Sequence, residues 1–382
     1  MKKKLAFVVA TPMTYNAFLK GHANALMDEY DVTLIADFAN WAGVPLQDGV
    51  KTLHVPIRRK VSVLSDCVAF LRLWRVLRAG RYDIVHSVTP KAGLLANMAG
   101  RAAGIEVRIH TFTGQVWATQ TGVSRALLKA FDKLTLECAT LALSDSPSQA
   151  AFLRSEGFTK SIHVLGDGAI SGIDTERFRP NSVHRAAVRA KFGLAIDDLV
   201  FLFLGRLTRD KGILDLVEGF SKAALGPKCK LLIVGPDEEG LAPKISQHPL
   251  TIEGRIVLTG ETTTPERFLS AGDVFCLPSY REGFGSSVLE AAAVGLPSIV
   301  SRIYGLTDAV IEGETGIMHE VGNSDQIAAC LTKVARDADL RARMASAAHA
   351  RVLITFPSER ITTELRNFYA TALTNASQTF GR

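Results

Sequence analysis

Apolar positions along this chain fall into short, nearly continuous runs, separated by stretches where they recur every three or four residues. The short runs suit strands buried on both faces of a parallel sheet, and the wider spacing suits amphipathic helices laid over it. In the first half the pattern predicts strands over 5–10, 32–36, 84–87, 107–111, 141–144 and 163–165, and helices over 18–27, 93–103 and 124–138. In the second half it predicts strands over 199–204, 230–234, 256–258, 274–277 and 298–301. Helices are expected there over 212–220, 265–271, 288–294, 324–336 and 340–353, and a last one over 358–373 follows Pro357. Strand alternating with helix throughout defines an α/β chain with doubly wound parallel sheets.

Between the two series stands Gly166-Asp167-Gly168-Ala169-Ile170-Ser171-Gly172, whose glycines allow a hinge or a close-approach loop. At 382 residues the chain exceeds one ordinary core and fits two. The expected division is 1–173 and 174–356, with the terminal helix of about 357–382 packing back on the first domain. Doubly wound sheets bind ligands outside the carboxyl ends of their strands, so two such domains facing each other place the expected site in the cleft.

Composition narrows this further. Apolar residues at 47% and charged residues at 21% describe a globular chain rather than a disordered one. No apolar run reaches the roughly 20 residues that cross a bilayer. Lys2-Lys3-Lys4 before an apolar stretch looks like a signal peptide, but the stretch is short and no cleavage site follows, so a buried first strand is expected. Five scattered cysteines without a C-x-x-C pair suit a reducing cytosol and offer no metal cage.

Residues 1–173 carry an excess of seven positive charges, and the remainder an excess of one negative. Much of the positive excess lies in Arg58, Arg59, Lys60, Arg72, Arg75, Arg78 and Arg81, with only Asp66 against them. Val68, Leu71, Trp74 and Leu77 recur at helical spacing among these cations. Such a basic amphipathic helix either lies on an anionic membrane surface or packs its apolar stripe on its own sheet. Nucleic acid is not expected as a partner, because no aromatic stacking series or recognition module accompanies the charge.

Two loops carry candidate chemistry. Gly205-Arg206-Leu207-Thr208-Arg209-Asp210-Lys211-Gly212 joins a strand's carboxyl end to a helix start, where backbone N–H groups favour anions. A cation such as Lys211 opposes the helix dipole there, and an anionic ligand would resolve the conflict. Arg206 offers a planar two-pronged donor and Lys211 a point charge, a fitting pair for a diphosphate. The second loop, Arg281-Glu282-Gly283-Phe284-Gly285-Ser286-Ser287-Val288-Leu289-Glu290, sets two glutamates around glycines that let a ligand approach the backbone. Ser287-x-x-Glu290 also reads as a capping box, which accounts for Glu290 but not for Glu282.

Both motifs, in this order, resemble those of the retaining glycosyltransferases of family four, which have the GT-B fold. Glu282…Glu290 resembles that family's Glu-x₇-Glu signature, and Gly205…Gly212 its Gly-Arg-Leu-x₃-Lys-Gly signature. Thr89-Pro90-Lys91-Ala92-Gly93 and Ile173-Asp174-Thr175-Glu176-Arg177-Phe178 extend the likeness along the chain. The resemblance implies that Arg206 and Lys211 neutralise a donor diphosphate, that Glu282 contacts the transferred sugar and that Glu290 binds the ribose. It also implies that Gly283, Phe284, Gly285 and Ser286 hold sugar and phosphate at a helix start. Fixed cations then stabilise the leaving diphosphate, and no cofactor or divalent metal is required beside the nucleotide-sugar co-substrate. The only Asp-x-Asp, Asp337-Ala338-Asp339, reads as surface.

On the acceptor side the family's His-Gly pair appears as Thr113-Gly114, and its Gly-Gly loop as Thr11-Pro12-Met13-Thr14-Tyr15-Asn16. His110 is either a replacement catalytic histidine or a core residue. Lys91 is either an anchor for a lipid-diphosphate acceptor or a structural lysine. The resemblance implies a metal-independent hexosyl- or N-acetylhexosaminyl-transferase of capsule or O-antigen type. It would move sugar from a nucleotide-diphosphate sugar, UDP foremost, to a lipid-linked or glycan acceptor at the inner face of the membrane. The alternative is a GT-B sugar-nucleotide-binding protein or isomerase without transfer. An oxidoreductase is disfavoured, since no G-x-G-x-x-G follows the first strand.

Overall fold

A computed structural model describes residues 2–39, 41, 48–58 and 62–380. It forms two compact units, Met1–Gly172 with Ser358–Arg382, and Ile173–Pro357. The first unit runs β1 (Lys3–Val8), α1 (Pro12–Phe18), α2 (Lys20–Leu26), β2 (Tyr30–Ala36), β3 (Lys51–His54), α3 (Val63–Gly80) and β4 (Ile84–Val88). It continues with α4 (Pro90–Ala102), β5 (Val107–Phe112), α5 (Gly122–Cys138), β6 (Leu141–Ser144), α6 (Pro147–Ser155) and β7 (His163–Val164). Its strands pair in parallel in the order β3-β2-β1-β4-β5-β6-β7.

The second unit runs α7 (Ser182–Lys191), β8 (Leu199–Leu204), α8 (Ile213–Lys222), β9 (Cys229–Val234), α9 (Ala242–Ser246), α10 (Pro249–Ile252) and β10 (Ile256–Gly260). There follow α11 (Pro265–Leu269), β11 (Val274–Leu277), α12 (Ser286–Ala293), β12 (Ser298–Ser301), α13 (Leu306–Ala309), β13 (Gly316–His319), α14 (Ser324–Arg336) and α15 (Ala338–Thr355). This sheet is also parallel, in the order β10-β9-β8-β11-β12-β13. In both units the central strands are buried along nearly their whole length, as their unbroken apolar runs require.

The last helix, α16 (Ser358–Phe380), belongs to the first unit. Ile361, Leu365, Tyr369 and Ala372 form one helical stripe and enter the same core as Leu5, Phe7, Val9 and Leu19. Buried histidines fix it further. His22 Nδ1 meets Thr362 Oγ1 at 2.8 Å, and His86 Nδ1 shares a short hydrogen bond with the Tyr369 hydroxyl. Arg366 reaches Glu29 at 2.8 Å and Arg360 reaches Asp167 at 3.0 Å.

Two local expectations are corrected. The helix over 18–27 is two short helices that meet at Leu19, which ends one and begins the other. In the basic helix the stripe that packs inward is Ala69, Leu73 and Leu77, with Trp74 partly buried beside it. Val68 and Leu71 face outward instead, and so do Arg72, Arg75 and Arg78. Arg59 and Lys60, counted in the basic stretch, lie outside the described residues. No helix among the described residues is long and apolar enough to cross a membrane.

Candidate active site

The two motif loops meet at the carboxyl ends of neighbouring strands in the second unit. After β8 the chain makes a 3₁₀ turn over Arg209–Lys211 and enters α8 through Gly212. Gly212 sits at φ 66°, and a Cβ there would fall 2.0 Å from the Pro278 carbonyl oxygen, so only glycine lets the first loop close against the second. Tyr280 N–H donates to the Asp210 carbonyl at 2.8 Å and ties the same loops together.

Lys211 Nζ lies 2.5 Å from Glu282 Oε1, joining residues 71 apart in sequence. Ser279 Oγ, fully buried, donates to the same carboxylate oxygen at 2.8 Å. The conflict between Lys211 and the helix dipole is thus resolved inside the protein by a carboxylate. Arg281 pairs with Asp210 at 2.8 Å, and the Thr208 hydroxyl donates to Asp210 as well. Burial pushes the Asp210 carboxyl up, but the Thr208 hydroxyl and the cations Arg281, Lys211 and Arg206 outweigh it and hold it below the usual range. Arg206 pairs with Glu238 at 2.8 Å, with both side chains well exposed. Ser279, Asp210 and Arg281 were not singled out from the sequence. The available signal was an aspartate in one motif and an arginine beside the other.

Gly283, Phe284 and Gly285 are buried, and Phe284 meets the Phe356 ring edge-on at 5.3 Å. The capping-box reading of Glu290 is overturned. Helix α12 starts at Ser286 with Gly285 as N-cap at φ 81°, and no side chain caps it. Glu290 therefore lies a turn too far in to reach back to its helix's first N–H groups. Burial raises its carboxyl to about 7, with Arg177 lowering it and Glu266 raising it further. Arg177 itself is held by Glu266, Nε and Nη2 lying 3.0 and 2.9 Å from Oε2.

In the first unit, His110 lies in the middle of β5, buried beneath α4. A Cβ on Gly93 would fall 2.2 Å from its ring, and its Nδ1 meets Ser87 Oγ at 3.0 Å. Burial lowers its pKa to about 3. Of its two readings the structure carries the core one. Lys91 Nζ lies 2.6 Å from Asp66 Oδ1, with both side chains mostly buried, so its charge is matched within the protein. Thr113 and Gly114 follow β5 directly, the first half-buried and the second buried. Asp337 caps α15, accepting from Leu340 N–H at 2.8 Å, which leaves the Asp-x-Asp as a helix start. Among the described residues no group of three or more His, Cys, Asp or Glu could hold a metal ion.

Residues 184–351 match the family described as glycosyl transferases group 1, and residues 16–168 match the glycosyl transferase 4-like domain. Over 323 residues the chain is 31% identical to the capsular polysaccharide biosynthesis glycosyltransferase CapM of Staphylococcus aureus, covering 84% of each chain. It is 28% identical over 319 residues to the UDP-Gal:alpha-D-GlcNAc-diphosphoundecaprenol alpha-1,3-galactosyltransferase of Escherichia coli, covering 81% of each. Sucrose-phosphate synthase from Thermosynechococcus elongatus has a similar structure, with a TM-score of 0.83 at 20% identity over 98% of this chain and 100% of that one. Anabaena HepE, solved with UDP and glucose, gives 0.80 at 17% identity over 97% and 100%. Two parallel Rossmann-like sheets with this likeness define a GT-B glycosyltransferase. The chain belongs to the group 1 glycosyl transferases, close to enzymes of capsule and O-antigen assembly.

Proposed function

We propose that this protein transfers a hexosyl or N-acetylhexosaminyl group, with retention at the anomeric carbon, from a UDP-sugar to a lipid-diphosphate-linked or other growing glycan. The observation that carries the reading is the Lys211–Glu282 pair, which brings the two motif loops to one point. Arg206 and Lys211 take the donor diphosphate, Glu282 and the backbone of Gly283 to Ser286 take the sugar, and Glu290 takes the ribose hydroxyls. Exposed ion pairs such as Arg206–Glu238 are worth about 1 kcal/mol or less, so a diphosphate displaces the glutamate at little cost. The Escherichia coli relative is named for a UDP donor and a diphosphoundecaprenol acceptor, and HepE was solved with UDP, which supports the choice of nucleotide and acceptor class.

In this mechanism the bond from the anomeric carbon to the diphosphate oxygen breaks on the face where the acceptor oxygen bonds. The departing phosphate oxygen receives the acceptor's proton. Arg206 and Lys211 stabilise the charge that builds on the leaving group, and donors already fixed in place do this without reorganisation. A bound metal is not needed for that step.

The acceptor is reached at the inner face of the membrane through the outward side of α3. There Val63, Leu64, Val68 and Leu71 are 75%, 83%, 47% and 48% exposed, and Arg72, Arg75 and Arg78 follow along the same helix. Apolar side chains beside arginines match an anionic bilayer surface. Flotation should show binding to phosphatidylglycerol vesicles, little to phosphatidylcholine, and loss of binding in Leu64→Glu/Leu71→Glu.

Thermal-shift measurements with UDP, GDP and ADP test the donor side, because a ligand stabilises by RT ln(1 + [L]/Kd). UDP should stand apart, and Arg206→Ala should weaken its effect. Transfer from UDP-galactose or UDP-N-acetylglucosamine to GlcNAc-diphosphoundecaprenol tests the reaction. Stabilisation by none of the nucleotides, or an Arg206→Ala variant as active as wild type, would sink the reading.

A further inference from the structure

The two cations given to the donor diphosphate are each already paired with a carboxylate, and the pairs differ in their surroundings. Arg206 and Glu238 meet at 2.8 Å with side chains 41% and 38% exposed. When a diphosphate draws Arg206 away, the Glu238 carboxylate is left facing water, which solvates it. Lys211 and Glu282 meet at 2.5 Å with side chains only 17% and 13% exposed. Water has little access there, and a carboxylate that loses its cation in such a place is strongly disfavoured.

The fold also keeps Glu282 from following its partner or finding another. Its loop is closed on the first motif loop at Gly212 and by the Tyr280 N–H bond to the Asp210 carbonyl. The Tyr280 hydroxyl donates to Asp215, in the first turn of α8, at 2.9 Å. On the other side Gly305 packs so closely that a Cβ there would fall 2.6 Å from the Gly283 carbonyl oxygen and 3.0 Å from that of Glu282. Arg281, the neighbouring cation in the chain, is held by Asp210 at 2.8 Å. Once Lys211 turns to a phosphate, the side-chain donor that stays with Glu282 is the buried Ser279 hydroxyl, at 2.8 Å.

We infer that the Lys211–Glu282 pair is a latch that an intact nucleotide sugar opens without loss and a bare nucleoside diphosphate does not, so the site favours donor over product. The inference rests on the donor reading above. Sugar hydroxyls are hydrogen-bond donors, and set against Glu282 they replace the ammonium that the diphosphate has taken. UDP supplies only the second half of this exchange. It leaves Glu282 uncompensated or shares Lys211 with it, and either way it binds more weakly than the donor. After transfer the sugar is gone from Glu282, which recovers Lys211 and so favours release of UDP.

Isothermal titration of the full chain with UDP, UDP-galactose and UDP-N-acetylglucosamine tests this. Wild type should bind one of the two UDP-sugars about tenfold or more tightly than UDP. Glu282→Gln should bind UDP about tenfold more tightly than wild type and lose the preference for the sugar. A glutamate that only touches the sugar would leave UDP affinity unchanged in this variant. Glu238→Gln removes the same charge from the exposed pair, and should change UDP affinity by less than about threefold. Ser279→Ala leaves both charges in place but takes a donor from Glu282, so it should weaken UDP about fivefold. Glu282→Gln binding UDP no more tightly than wild type, Glu238→Gln matching its effect, or Ser279→Ala leaving UDP affinity unchanged would each overturn the latch. So would a wild type that binds UDP as tightly as both UDP-sugars. If UDP binds neither wild type nor any variant, the donor reading falls and the latch with it. If UDP binds wild type and Glu282→Gln equally, the latch alone falls.

Discussion

At the carboxyl edge of the second unit's sheet, charges are set against charges. Lys211 meets Glu282, Arg281 meets Asp210, and Arg206 meets Glu238. At the same edge of the first unit, Lys91 is matched by Asp66, and the hydroxyls of Thr11, Tyr15 and Thr89 and the Asn16 oxygen have no hydrogen-bond partner among the described residues. The first unit nevertheless lies in the half that carries the positive excess. Three of its arginines, Arg72, Arg75 and Arg78, stand exposed on α3. Net charge therefore says little about which unit handles the diphosphate. On the proposed reading what counts is whether cations are fixed where charge would develop, the part given to Arg206 and Lys211 in the second unit.

The largest effect that would test this contrast comes from Lys211→Ala. Transfer should fall on the order of a hundredfold or more, measured as product formed per unit time, while Thr89→Val leaves donor hydrolysis unchanged. Equal losses in both would erase the distinction between the edges. Next comes Gly212→Ala. With φ at 66° and a carbonyl 2.0 Å from the new methyl, it should destabilise the second unit by about 2 kcal/mol or more in chemical denaturation.

Asp66→Asn leaves the Lys91 ammonium without its carboxylate in a mostly buried place. It should cost about 1–3 kcal/mol in the first unit, seen by urea unfolding, with UDP binding unaffected. Loss of UDP binding in this variant would mean that the edges are not independent.

The smallest effects separate the units by pH. Glu290 has a folded pKa near 7, above its ordinary 4.5, so the folded state holds this proton more tightly. Its contribution to stability is greatest below about pH 4.5 and is lost as pH rises through 7. His22, His86 and His110 are shifted the other way by burial. Their contribution is present above about pH 6.5 and is lost as pH falls. Relative to wild type, the melting temperature of Glu290→Gln should rise as pH goes from 4.5 to 7 and the gap should be largest above pH 7, and the variant should also bind UDP more weakly at pH 8.

Much of the framework was readable in advance. Strands Leu199–Leu204 and Val274–Leu277 begin and end where their apolar runs do, because a strand covered on both faces has no polar position to blur its limits. Strand Lys51–His54 was missed because all four residues are exposed at the sheet's edge, so no apolar pattern marks them. Helix Ser182–Lys191 was missed for a similar reason, having only Val188 and Arg189 buried. The stripe on α3 was misjudged by one position, since Val68 and Ala69 are both apolar and only packing decides which turns inward.

The site divides along the same line. Sequence alone determined which residue types stand at the strand ends, because motif spacing places Arg206, Lys211 and Glu282 in loops between a strand and a helix and Glu290 in the helix that follows. It also gave Glu290 a capping role beside the ribose one, and left His110 open between a catalytic and a core role. Only the tertiary structure decided between partners, because hydrogen bonds and ion pairs form between segments far apart in the chain. It gave Lys211 to Glu282 across 71 residues, moved the start of α12 to Ser286 and so freed Glu290, and laid α4 over His110. It also left the hydroxyls of Thr11 and Thr89 without hydrogen-bond partners among the described residues, a fact that no reading of local spacing contains.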